Sequence, residues 1–295
     1  MSSRVREHYG TSELWDRVRA ALARAGLGEG PIEWSQLAPI DEFHTGGLAA
    51  TREVVAALGP APGDRVLDVG SGLGGPARLI AAQRGCDVTG IDLTPEFVDV
   101  AGRLTQRTGL SEQVRFVCGD ALDLPFDDAA FDAAITLHVA MNIADRARLY
   151  AEIRRVLAPG GRFALYDVVA GDGQPLSFPV PWGRDPATSF LLSAEETRAA
   201  VAAAGFAEVS FADRTDTVVQ GARFWARNVD PPSGAPPPAP PTPEAPFDLR
   251  DVMGDDFPQL ATNLRENLVS GRARVTQLVA RAVQRRSDAA LGLTD

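Results

Sequence analysis

The 295-residue chain contains no lysine; all 29 of its basic residues are arginine. Pyridoxal phosphate chemistry, Schiff bases and a P-loop lysine are thereby excluded. Cysteine is nearly absent too, and Cys86 and Cys118 are too few for a disulfide scaffold or a zinc site. That usage suits a reducing compartment, so a cytoplasmic protein is expected. Histidine is confined to His8, His44 and His138. No His/Cys/carboxylate cluster has metal-ligand spacing, so no metal is expected. No apolar run approaches the roughly 20 residues that span a bilayer. Met1-Ser2-Ser3-Arg4 leads into polar sequence without a signal-peptide core. A net charge of −10 opposes nucleic acid or an anionic membrane as partner.

Against those absences stands one dense stretch, Arg65-Val66-Leu67-Asp68-Val69-Gly70-Ser71-Gly72-Leu73-Gly74-Gly75. An apolar, β-prone run reaches an aspartate, a glycine-rich turn follows, and helix formers begin at Ala77. In α/β sheets such a strand–turn–helix junction holds nucleotide-like ligands. By itself it is weak evidence, because Gly70-x-Gly72-x-x-Gly75 also satisfies the dinucleotide fingerprint. Around it, strands are expected at 87–92, 114–118, 131–136, 162–169 and 207–212, alternating with helices, which predicts a parallel sheet covered on both faces. Residues 1–60 read as an N-terminal helical cap and 61–230 as the ligand-binding core. Residues 231–246 carry nine prolines and read as a surface loop. Residues 247–295 are too few for a separate core, so a helix and a last strand over 272–283 are expected to return to the sheet.

Three carboxylates, Asp68, Asp92 and Asp120, fall where three successive strands end, on the edge that lines a ligand crevice. Asp92 lies at the distance that suits ribose hydroxyls, and Asp120 with the Ala121 amide can read an adenine edge. Asp68 discriminates between cofactors. A pyrophosphate on the turn would be repelled by it, whereas a ligand carrying an ammonium and a sulfonium would be attracted. S-adenosylmethionine carries adenosine and both cations and has no phosphate.

With these motifs in order, and Pro159-Gly160-Gly161 after them, the chain resembles the class I S-adenosylmethionine-dependent methyltransferases. Segments 37–47, 138–143 and 179–182 make it most similar to the sarcosine/dimethylglycine N-methyltransferase-like group. The resemblance implies an α/β, Rossmann-like sheet of seven strands in the order 3-2-1-4-5-7-6, mostly parallel, with the last strand antiparallel. It implies a cofactor site of Asp68, Gly70, Ser71, Gly72, Gly74, Asp92, Leu93, Asp120, Ala121, Leu137 and His138. His138 and His44 are the candidate catalytic residues, and His44, Met141, Asn142 and Trp182 the candidate substrate contacts. The small-molecule methyl acceptor is expected to be an amine or an amino-acid-like compound. O- or C-methylation in natural-product biosynthesis is the alternative, and homo-oligomerisation stays open. An NAD(P)-dependent oxidoreductase would share the glycine turn, but Asp68 opposes its pyrophosphate and a Tyr-x-x-x-Lys pair is impossible. A non-enzymatic S-adenosylmethionine sensor would keep the same site without turnover.

Overall fold

The central strands of the sheet are buried along nearly their whole length, because helices cover both faces, while the edge strands at 114–118 and 206–213 are partly exposed. In the computed structural model, which describes residues 13–221 and 247–283, β1 (Arg65–Val69), β2 (Asp87–Asp92), β3 (Val114–Cys118), β4 (Phe131–Leu137) and β5 (Leu157–Ala170) form the parallel part. β6 (Phe206–Asp213) and β7 (Ala273–Ala282) complete the order β3-β2-β1-β4-β5-β7-β6, with β7 antiparallel to both neighbours. The proline tract and the tail from Gln284 lie outside the described residues.

One face is packed by α3 (Gly47–Leu58), α4 (Gly75–Arg84) and α10 (Phe257–Val269) through Val54, Leu58, Leu79, Ile80 and Leu264. The other carries α6 (Arg146–Val156) and α7 (Ala194–Ala203), with Leu149, Ile153 and Val201 against Leu67 and Phe163. A third apolar cluster joins α1 (Leu14–Arg24) to α5 (Pro95–Arg107) through Leu14, Val18, Phe97 and Val100. Ile40 of α2 (Ala38–Asp41) and Val252 of α9 (Arg250–Met253) complete that cluster. Among the described residues, no helix is long and apolar enough to cross a membrane.

Local departures from expectation have local causes. The α3 helix starts at Gly47, four residues ahead of the 51–58 run that reads as a short helix in the sequence, because Gly46 adopts the left-handed conformation (φ 83°) and turns the chain straight into it. β5 begins at Leu157, ahead of Pro159-Gly160-Gly161. Leu157 pairs with Phe131, and the turn is absorbed as a register shift before Arg162 pairs with Ala133. Thr94 stands at the N-terminus of α5, but its side chain makes no capping bond; Asp92 Oδ1 accepts the Thr94 N–H at 2.9 Å instead. A helix at 215–220, α8 (Thr215–Gln220), was not expected.

Candidate active site

β1 delivers Asp68 to the middle of the sheet, between Gly90 of β2 and Ile135 of β4. Beyond it the chain turns through Gly70, Gly72 and Gly74, all with positive φ. The turn is pinned to β2. Gly70 and Ser71 both donate to the Ile91 carbonyl, at 2.8 and 3.0 Å, and Gly72 N–H donates to Asp92 Oδ2 at 2.9 Å. A Cβ on Gly70 would lie 2.3 Å from Val139 Cγ2, and one on Gly72 would lie 3.0 Å from the Phe43 ring. Gly74 is closed off differently, since its Cβ would strike Phe116 at 2.4 Å.

A cleft of about 1110 Å³, open mouth included, lies over these strand ends. Gly70, Gly72, Asp92, Leu93, Asp120, Ala121, Leu137, His138, Met141, Asn142 and Trp182 line it. Four of the expected site residues stand behind that wall: Asp68, Ser71, Gly74 and His44. The sequence gives their order along the chain but not the depth at which each side chain sits.

Asp68 is 2% exposed, and its Oδ2 has no hydrogen-bond partner. Burial above all, then the nearby Glu42 and Asp92 carboxylates, push its pKa up to about 7, with His44 and Arg78 opposing. Ser71 Oγ is also buried without a partner. Burial likewise raises Asp92, against the Thr94 and Gly72 amides that hold its charged form. Asp120 Oδ1 accepts the Leu122 N–H at 2.9 Å. Among the described residues no arginine lines the cleft, and the charged groups there are carboxylates alone.

A family model for a methyltransferase domain matches residues 67–165. Over 185 residues the chain is 31% identical to the O-methyltransferase cnsE of Penicillium expansum, covering 63% of this chain and 67% of that one. The chain belongs to the S-adenosylmethionine-dependent methyltransferases. It is also 42% identical over 115 residues to the sterol 24-C-methyltransferase ERG6B of Gibberella zeae, over 39% of this chain and 30% of that relative. The first such relatives are matched over only about a third of their length. A solved structure of a putative sarcosine dimethylglycine methyltransferase from Galdieria sulphuraria superposes with a TM-score of 0.59 at 17% identity, covering 81% of this chain and 86% of that one. At that identity the likeness carries the fold and says nothing of an amine substrate.

The methyltransferase's donor fits the residues present. The partnerless Asp68 and Ser71 oxygens, just behind the cleft wall, offer acceptors for an ammonium, and the turn beside them has no room for a Cβ because Val139 and Phe43 fill those positions. Beside the cradle, His44 does not face the cleft. Its Nε2 bonds Glu42 Oε2 at 2.7 Å and Thr51 Oγ1 at 2.9 Å, which ties the 41–47 segment onto α3. His138 does face the cleft, on a left-handed backbone (φ 55°) rare for a residue with a Cβ. Burial, then His44, lowers its pKa well below the ordinary value, so the ring is neutral near pH 7. Its Nε2 meets Thr45 Oγ1 at 3.1 Å, and its ring stacks on Tyr166 with centroids 5.6 Å apart.

Sequence reasoning missed Glu42, Thr45 and Tyr166, and also the apolar roof of Leu249, Met253, Phe257 and Leu264. Glu42 and Thr45 lie inside the 37–47 segment that carried the resemblance, so a signal was present. The roof residues follow the proline tract, and nothing local marks them as facing β1.

Proposed function

We propose that this methyltransferase transfers a methyl group from S-adenosylmethionine to a small, largely apolar acceptor. The observation that carries the reading is the roof. Pro181, Trp182, Leu249, Met253, Phe257 and Leu264 stand across the cleft from the glycine turn, without a charged side chain among them. Asp68, Gly70, Ser71, Gly72 and Gly74 would hold the methionine end, Asp92 and Leu93 the ribose, and Asp120 and Ala121 the adenine, with Leu137 and His138 beside them. Bound there, the sulfonium supplies a methyl group for direct in-line displacement. The protein's share is to hold the acceptor at attack distance and keep water out, which can supply roughly 7–11 kcal/mol of the barrier. An amine, as expected from the sequence, falls within this class if its skeleton is apolar. So do a hydroxyl and an electron-rich carbon, and the relatives named above are O- and C-methyltransferases.

Two measurements test the reading. Calorimetry should detect S-adenosylhomocysteine binding at about 100 μM or below. Methyl-labelled cofactor should then mark apolar phenols, amines or terpenoid alcohols in preference to glycine-like amino acids. Absence of product-cofactor binding overturns the donor assignment, and methylation of hydrophilic amino acids alone overturns the acceptor class.

A further inference from the structure

A second cavity, about 600 Å³ with its mouth, lies behind the cleft and is lined by Gly46, Glu53, Tyr166, Arg214 and Thr217 among others. It reaches solvent beside the Arg214–Glu53 ion pair, whose side chains are 30% and 50% exposed. Between the two cavities runs one short polar line. Thr45 Oγ1 lies 3.1 Å from His138 Nε2 and 3.4 Å from Tyr166 Oη. Thr45 is fully buried and Tyr166 nearly so, and among the described residues no other hydrogen bond engages either hydroxyl. His138 lines the front cleft and Tyr166 the rear cavity.

We propose that Thr45 and Tyr166 are positioning residues that carry the acceptor's proton from His138 to the rear cavity. This rests on the methyl-transfer reading. Methylation of an N–H, O–H or C–H acceptor releases a proton beneath the apolar roof, where leaving it behind would be costly. In the relay, the acceptor's X–H bond breaks and its proton goes to His138 Nδ1, which has no protein partner among the described residues. The Nε2–H proton passes to Thr45 Oγ1, the Thr45 hydroxyl proton to Tyr166 Oη, and the Tyr166 proton to solvent. Every group ends neutral, and only the hydrogens have moved one place along. A neutral His138 suits the task, because the receiving nitrogen must carry a lone pair. His44 cannot take that part, since its Nε2 is occupied by Glu42 and Thr51 and its Nδ1 lies 3.2 Å from the Thr45 carbonyl.

The relay requires His138 to be protonated on Nε2, and nitrogen NMR can read this without knowing the acceptor. In the full chain with S-adenosylhomocysteine bound, the His138 signals, assigned by their loss in His138→Asn, should report the Nε2–H tautomer near pH 7. Thr45→Val should give mixed tautomers, and Thr45→Ser should restore the single one. An unchanged tautomer in Thr45→Val, or an Nδ1–H ring in the parent, overturns the relay. With an acceptor found by the labelling panel, Thr45→Val and Tyr166→Phe should lower kcat by about tenfold or more, within the range of positioned proton transfer. They should leave product-cofactor affinity unchanged and shrink the solvent deuterium effect. Full kcat in both variants would overturn the proposal while leaving methyl transfer intact. If the parent binds no S-adenosylhomocysteine, it is the donor assignment that falls.

Discussion

Asp68 sits under the glycine turn with one carboxyl oxygen unpartnered, and that arrangement makes it sensitive to pH. Its pKa in the fold, about 7, exceeds the ordinary 3.8 because burial disfavours the charge. Asp167 is raised to about 7 and Asp41 to about 6, again chiefly by burial. The sign follows from proton counting. Between the two pKa values the folded chain binds protons that the unfolded chain has released, so stability is fullest below the unfolded value and is lost as pH rises toward 7. The cofactor-free protein should therefore melt at a higher temperature near pH 5 than near pH 7.5 by calorimetry, roughly over the window these pKa values define. With the methionine end held as proposed, the cofactor's ammonium would favour ionised Asp68, so S-adenosylhomocysteine affinity should strengthen as pH rises through about 7. Asp68→Asn should weaken binding and flatten that dependence; an equally steep profile in Asp68→Asn would assign the titration to another group.

The turn and the helices around it show which parts of an element a sequence pattern exposes. Gly70, Gly72 and Gly74 were legible as a turn because only glycine takes positive φ there without strain. What each glycine faces was not legible, because Val139 and Phe116 come from other strands or loops. Gly70→Ala should cost roughly 1–2 kcal/mol from its φ alone, measured by denaturant melts, with a further loss from the Val139 clash. Adding Val139→Ala should recover the clash and leave the φ cost. Arg78 of α4 illustrates the opposite case. It is fully buried, ion-paired to Asp41 at 2.7 Å, and bonded to the Leu73 carbonyl and Thr105. Its sequence position, inside an apolar helix run, gave no hint of this. Arg78→Met strands a buried carboxylate and should destabilise by about 3–5 kcal/mol, while Arg78→Met with Asp41→Asn should be milder.

At the scale of the molecule, the cleft is closed by pieces distant in the chain. Asn263 and Asn267 of α10 bond the Pro179 and Ser177 carbonyls at 2.8 and 2.9 Å, fixing the 177–182 strap beside α10. Strap and helix together make the apolar roof, so acceptor selectivity is a property of their union. Phe257→Ala should raise the acceptor KM by about tenfold or more, as expected for loss of a buried aromatic contact, with S-adenosylhomocysteine affinity unchanged. An equal loss of both affinities would show that the roof supports the donor side instead. The strand order was implied only by the family resemblance; by itself the sequence determined the alternation of strands and helices, the glycine turn, and the three carboxylates at strand ends. All three are written in local patterns, apolar periodicity and turn chemistry, that hold wherever the segment lies. Only the tertiary structure decided that Asp68 lies behind the cleft wall, that His44 is tied to Glu42, and that His138 reaches Tyr166 through Thr45. Burial depth and side-chain partners depend on which distant segments pack together, and periodicity along one chain does not encode that.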